Sequence, residues 1–168
     1  MAKYFAPVKG AGAERRDEFG NMASYRKHPH RGGDWGFSNG SDGKDIHAMH
    51  DAVIAKNFWS DVLGWVVITK DADGVHILYA HLKTQSKLKK AQAVIGGETV
   101  LGQIGNTGSA SVGAHLHVAA SKNPQPHLAP YEELLDPFKL VDASKPKKPA
   151  TDSTEPKKTA KKKAAKNG

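Results

Sequence analysis

A mainly β fold is predicted by three features of this 168-residue chain. Its apolar residues fall in short β-branched or aromatic runs, such as GWVVIT at 64–69 and VHILY at 75–79, each the length of a strand. Glycine, asparagine and aspartate punctuate these runs at short intervals, as turns do. No stretch keeps an apolar helical period for more than about two or three turns, and no segment repeats.

Taken in order, residues 1–29 are rich in charges and turn formers, with a short helix expected around 14–19 and a break at Gly20-Asn21. Residues 25–30 are too polar, and too interrupted by Pro29, to be core. Two glycines separate His30 from Asp34, letting the backbone bend so that both side chains converge without Cβ crowding. Residues 37–43 read as an exposed loop, and 46–54 as a strand. The runs at 64–69 and 75–79 are joined by KDADG, whose Asp73-Gly74 marks a hairpin. Residues 82–90 form a polar connection with room for a turn of helix, and 94–105 a strand bent at its glycines. After a loop at 106–113 comes the strand of His115 and His117, and Pro124, Pro126, Pro130 and Pro137 close the domain.

Length allows one ordinary domain with a real core. With no cysteine, disulfides, thiolate metal sites and cysteine nucleophiles are excluded, so any transition metal must be held by histidine and carboxylate. No stretch has the run of about 20 apolar residues that spans a membrane. The net charge of +8 is uneven: residues 144–168 hold nine of the 25 Lys and Arg and two of the 17 Asp and Glu. We therefore divide the chain into a domain at 1–143 and a basic Lys/Pro/Ala-rich segment at 144–168. That segment has no large apolar side chain to bury and is expected to be disordered. It is either a solvated tail or attracted to polyanions such as anionic wall polymers.

The chemistry concentrates in three clusters. His115 and His117 stand two apart in a β-prone run, so both imidazoles emerge on one face. Histidines so placed are either satisfied core residues or ligands and catalysts. His30 and Asp34 form a second cluster and His81 a third. Three such clusters in strand-like sequence suit a single zinc ion held by several strands.

The motifs HRGGD, LYAHL and GNTGSASVGAHLH, in that order, with VVITKDADGVHILYAHL and GGETVLGQIGNTG between them, resemble the M23 family of peptidoglycan endopeptidases, the LytM or lysostaphin-like proteins. The resemblance covers roughly residues 17–140. It implies a compact antiparallel sheet with a groove along one face and the metal at its floor. It further implies one Zn²⁺ ion on His30, Asp34 and His117, with His115 as general base. His81 becomes the second catalytic histidine, bonded to the attacking water or to the oxyanion. The implied substrate is a peptide bond in the cross-bridge or stem of peptidoglycan. All five positions are filled, which favours an enzyme over the alternative, an inactive wall-binding or hydrolase-activating module.

The N-terminus MAKYFAP lacks an apolar leader. With no appended wall-binding domain, the expectation is a bacteriophage lysin, endolysin or virion-associated, made in the host cytoplasm and acting on the wall. A monomer with no specific nucleic-acid partner is expected. His28 is expected to be exposed. His76, five residues before His81, is expected on the opposite strand face, and Tyr79, two before it, on the same face as a groove or core residue. Trp35 and Trp59 could line the groove or cap the core.

Overall fold

The computed structural model describes residues 2–145; the rest of the basic segment expected to be disordered lies outside the described residues. In chain order the elements are β1 (Ala13–Arg15), β2 (Gly33–Phe37), β3 (Asp45–His47), β4 (Ala52–Ser60), β5 (Gly64–Lys70), β6 (His76–Leu82), β7 (Ala93–Val94), β8 (Val100–Gln103), β9 (Leu116–Ser121), β10 (Leu134–Leu135) and the helix α1 (Pro137–Ala143). Eight strands form one antiparallel sheet in the order β1-β2-β9-β6-β5-β4-β7, with β10 added on β9, while β3 and β8 pair as a separate ribbon. The class is mainly β, as the sequence predicts.

Strand β6 lies in the middle and every one of its residues is buried, which is why it reads as an almost unbroken apolar run. One face of the sheet packs into the main core, with Ile77 and Tyr79 from β6 and Leu116, Val118 and Ala120 from β9. The other face carries a smaller cluster of Val66, Ile68, Leu78, Ala80 and Ala119. The hairpin at Asp73-Gly74 forms as expected: β5 and β6 pair from Lys70↔His76 onward, and the Asp71 side chain accepts from the Val75 amide at 2.8 Å.

Several local expectations are corrected. The segment around 14–19 is not helical; β1 instead pairs with β2, Ala13↔Phe37 to Arg15↔Trp35. So short a helix would not sustain itself, whereas the edge of β2 offers ladder hydrogen bonds. Arg15 then grips Asp142 with two bonds of 2.8 and 2.6 Å, and α1 docks by placing Phe138 edge-on to Trp35 at 4.3 Å. Trp35 is thus core. The 37–43 loop is not wholly exposed, because Phe37 and Ser41 are buried and the Phe37 amide donates to Ser41 Oγ at 2.9 Å. The strand expected at 46–54 is interrupted, because Ala48 and Met49 turn into the core; β4 then runs on to Ser60. Residues 94–105 split into β7 and β8, and no helix forms between 82 and 90.

Candidate metal centre

Alternation places Trp35 of β2 and Leu116 and Val118 of β9 in the core, so Asp34 and His117 emerge together on the opposite face. They are register partners across β2 and β9, and Ala80 of β6 faces His117 from the other side. His30 arrives from the loop before β2. Its amide donates to Asn21 O at 3.0 Å, and its carbonyl accepts from the Gly20 amide at 2.8 Å. Its Nδ1–H donates to the Glu18 carbonyl at 3.0 Å. A carbonyl can only accept, so this bond sets the tautomer and leaves Nε2 with its lone pair facing inward. The close approach depends on Gly32, where a Cβ would lie 2.2 Å from the Val118 oxygen and 2.7 Å from His117 Cε1.

Three donor atoms converge. His30 Nε2 lies 3.1 Å from His117 Nδ1, His117 Nδ1 lies 2.9 Å from Asp34 Oδ1, and His30 Nε2 lies 3.3 Å from Asp34 Oδ1. Ligand atoms about 2.0–2.1 Å from a tetrahedral zinc ion stand about 3.3–3.4 Å apart, so the triangle, with edges of 2.9 to 3.3 Å, is slightly tighter than that ion requires and would open by a few tenths of an ångström to take it. Two imidazoles and a carboxylate, without thiolate, are also the donor set of catalytic zinc sites. Among the described residues this is the group of His, Asp and Glu side chains spaced to hold a metal. Burial alone would raise the Asp34 carboxyl, but the adjoining imidazoles of His117 and His30 hold it well below the usual carboxylate range, leaving it ionised.

His81 reaches the same face through a break in the strand pattern. Trp65 pairs with Leu82 and Val67 with Tyr79, so Ala80 and His81 together oppose Val66, as in a β-bulge. His81 adopts a φ of 63°, a left-handed conformation unusual outside glycine. Its ring lies 4.8 Å from that of His115 and 6.2 Å from that of His117, centre to centre. The bulge is held by main-chain bonds from His81 N to Leu63 O at 2.9 Å and from Gly105 N to His81 O at 3.0 Å. Thr107 braces it as well, donating from Oγ1 to Leu82 O at 2.6 Å and accepting His81 Nδ1–H on its carbonyl at 2.8 Å. Burial, aided by the neighbouring His115 and His117, pushes the His81 imidazole down to about 4, so it is neutral at pH 7.

His115 precedes β9. Its Nδ1–H donates to Gly113 O at 2.7 Å beside Ser111 Oγ at 3.3 Å, and its Nε2 lies 3.9 Å from Asp34 Oδ2. It therefore stands beside the triangle of His30, Asp34 and His117 rather than in it. His81 and His115 both commit their Nδ1 hydrogens to carbonyls and both present an Nε2 lone pair.

The structure thus brings together all five residues singled out in the sequence. The bulge, however, reverses the parity argument for their neighbours. Tyr79 lies in the core, fully buried, with its hydroxyl accepting from the Met49 amide at 2.8 Å. His76 has the parity of Leu78 and Ala80, and it is distant because it begins β6, paired with Lys70 and Ser121. His28 is exposed as expected. His50 is buried against Asp71 Oδ2 at 3.2 Å and Thr69 Oγ1 at 2.7 Å, a structural cluster, and Trp59 is exposed edge-on to Trp65. Sequence reasoning missed the carbonyls of Glu18 and Thr107, since a main-chain acceptor leaves no mark on residue type. A groove of about 960 Å³ opens onto Asp34 and His115 and extends to Arg16, Arg26 and Tyr25.

The sequence profile of Peptidase family M23 matches residues 28–128. The chain is 35% identical over 128 residues to the DD-carboxypeptidase/endopeptidase Mpg of Neisseria meningitidis serogroup B, an alignment taking in 72% of this chain and 28% of Mpg; it therefore spans under a third of that relative. Among solved structures, the catalytic domain of the prophage-encoded M23 protein EnpA from Enterococcus faecalis superposes with a TM-score of 0.64 at 24% identity, covering 80% of this chain and 95% of that domain. The catalytic domain of lysostaphin from Staphylococcus simulans gives a TM-score of 0.63 at 22% identity, covering 77% and 92%. Both share the fold.

Proposed function

Because the chain belongs to peptidase family M23, we propose that it is a zinc-dependent endopeptidase cutting peptide bonds in the cross-bridge or stem of bacterial peptidoglycan. The observation that carries this reading is the His30, Asp34 and His117 triangle with the imidazoles of His81 and His115 turned to the same side. His30, Asp34 and His117 would hold one Zn²⁺ ion. Bound there, the ion supplies Lewis acidity that polarises an amide carbonyl and lowers the pKa of water from about 15.7 to about 7.

The remaining work falls to side chains. His115 Nε2 has a free lone pair and stands outside the triangle, so it takes the proton of the attacking water as general base and passes it to the departing amine. His81 Nε2 accepts a hydrogen bond from the same water and orients it. Donation to the oxyanion would first require His81 to be protonated, which its burial opposes. The groove holds the peptide across the site, and the buried ligand carboxylate stays ionised at working pH.

Within this activity we assign the chain the role of a phage lysin acting on the host wall, a role consistent with the fold it shares with a prophage-encoded protein. Production together with a membrane-permeabilising protein should then lyse the host. For the basic segment at 144–168 we propose attraction to anionic wall polymers. Its removal should slow wall lysis at low salt, the difference shrinking near ~0.15 M, where the Debye length is about 8 Å; equal lysis at low salt would assign it to solubility alone. Mass spectrometry of fragments released from purified walls tests the function itself. One peptide bond should be consistently opened, and a full complement of intact cross-bridges and stems would contradict the reading.

A further inference from the structure

We propose that Thr107 is a positioning residue for His81, its hydroxyl holding the bulge that turns the imidazole toward the metal centre. The inference rests on the peptidase reading, in which His81 orients the attacking water, and adds a residue that acts only through His81. It also gives the GNTG segment at 105–108 a task that the metal ligands do not explain.

The backbone of His81 carries the argument. At a φ of 63° it is strained, and a residue bearing a Cβ persists there only where its surroundings hold it. Main-chain bonds to Leu63 O and from the Gly105 amide fix its two ends, and neither depends on side-chain type. Thr107 is different. Its Oγ1 accepts from the Trp65 amide at 3.2 Å and donates to Leu82 O at 2.6 Å, so one hydroxyl takes a partner from each strand of the bulged pair. Leu82 directly follows His81, and its carbonyl is thereby fixed. The Thr107 carbonyl accepts His81 Nδ1–H at 2.8 Å. One residue thus holds both the bulge and the ring, and Nε2 is left facing the site. Any residue could supply that carbonyl, but a hydroxyl that both accepts and donates at this reach needs threonine or serine.

The hydroxyl also has a built seat. Gly64 and Gly108 take φ values of 68° and 82°. A Cβ on Gly64 would lie 2.1 Å from Thr107 Oγ1, and one on Gly108 would lie 2.2 Å from the Gly64 nitrogen. Two side chains are therefore missing where Thr107 enters between the strands. The chain beyond it is tied to the same hairpin tip, the Ser109 amide donating to Asp61 O at 2.8 Å and the Ala110 amide to Val62 O at 3.0 Å. Thr107 is held from both sides, so what it positions cannot drift with the loop.

The test uses the zinc-loaded full chain and a soluble peptide carrying the bond that it opens in purified walls. Thr107→Val removes the hydroxyl at nearly constant shape and should lower kcat by about 10- to 100-fold, since a misplacement of about 1 Å can cost about 10²-fold. KM and zinc content should stay within about twofold of wild type, because neither binding nor the metal is touched. Thr107→Ser keeps the hydroxyl and should restore kcat. Added to His81→Ala, Thr107→Val should cost no further kcat, because residues that act as one unit are not additive. An unchanged kcat in Thr107→Val, or an equal loss in the His81→Ala background, would overturn the proposal and leave the peptidase intact. Nitrogen NMR of the zinc-loaded protein without substrate gives a second readout, which stands on the wild type and Thr107→Ser should Thr107→Val misfold. His81 should carry its hydrogen on Nδ1, slow to exchange with water, in both of these and lose that protection in Thr107→Val; a hydrogen on Nε2 in the wild type would overturn the proposal. The expected NMR pattern, with no cleavage of peptides or walls by the wild type, would overturn the peptidase reading and keep the brace.

Discussion

Replacing Gly32 by alanine probes how the metal centre is held without touching a ligand. The new Cβ would sit 2.2 Å from the Val118 oxygen and 2.7 Å from His117 Cε1, where a carbon and an oxygen need about 3.3 Å. The His30 loop and β9 must therefore part by about 1 Å, taking His30 and His117 in opposite directions. Functional constellations tolerate about 0.5 Å, and the triangle edges here are 2.9 to 3.3 Å. We expect overpacking to cost about 1–3 kcal/mol, a fall in Tm of roughly 2–12 °C at about 2–4 °C per kcal/mol. Zinc affinity should drop by about 10- to 100-fold, as when support around a ligand is lost. Scanning calorimetry and competition with a chromophoric chelator read the two effects. Gly113→Ala is the control, because its Cβ would meet nothing within 4 Å. Control-like Tm and zinc affinity in Gly32→Ala would refute the reasoning.

The two histidines of the HLH motif should separate. His117→Ala should lose zinc and activity together, whereas His115→Ala should keep near-stoichiometric zinc while the rate falls by ~10²- to 10⁴-fold; equal zinc loss in both variants would show the roles misassigned. Stability should depend on acid through His50. Burial lowers its pKa, so the unfolded chain protonates first as pH falls, and the stability contributed by neutral His50 is complete above about pH 6.5 and lost progressively below it. Burial would raise Asp71, but the Val75 amide, Tyr4 and His50 hold it below its usual value, so its own contribution fails only below about pH 4. Urea unfolding between about pH 6.5 and 5 should therefore be less steep in pH for His50→Gln, by up to about 1.4 kcal/mol per unit; an unchanged slope would exclude His50 as the source.

The strands and the convergence of the histidine and aspartate side chains are legible because they rest on composition and local spacing. GWVVIT and VHILY declare β5 and β6, and the i, i+2 spacing of His115 and His117 places both imidazoles on one side. What is hidden is set by the neighbours of a residue rather than by the residue. The Ala80–His81 bulge carries no glycine to announce it, yet it inverts the faces of Tyr79 and His76 relative to His81. Gly32 announces itself as a bend, while its actual task is to let a β9 carbonyl come close. A short helix is expected around 14–19, and β1 pairs there with β2 instead, a partner that lies twenty or more residues away in sequence and leaves no local mark. The tautomers of His30 and His81 depend on carbonyls that any residue could have supplied.

The claim that this chain is a zinc-dependent peptidoglycan endopeptidase is tested most directly by its metal. Protein stripped with chelator and dialysed free of it is incubated with purified walls, with and without one equivalent of Zn²⁺, and new amino termini are counted. The account predicts none from the stripped protein and full recovery at one equivalent. Undiminished release of amino termini by the metal-free protein would contradict it.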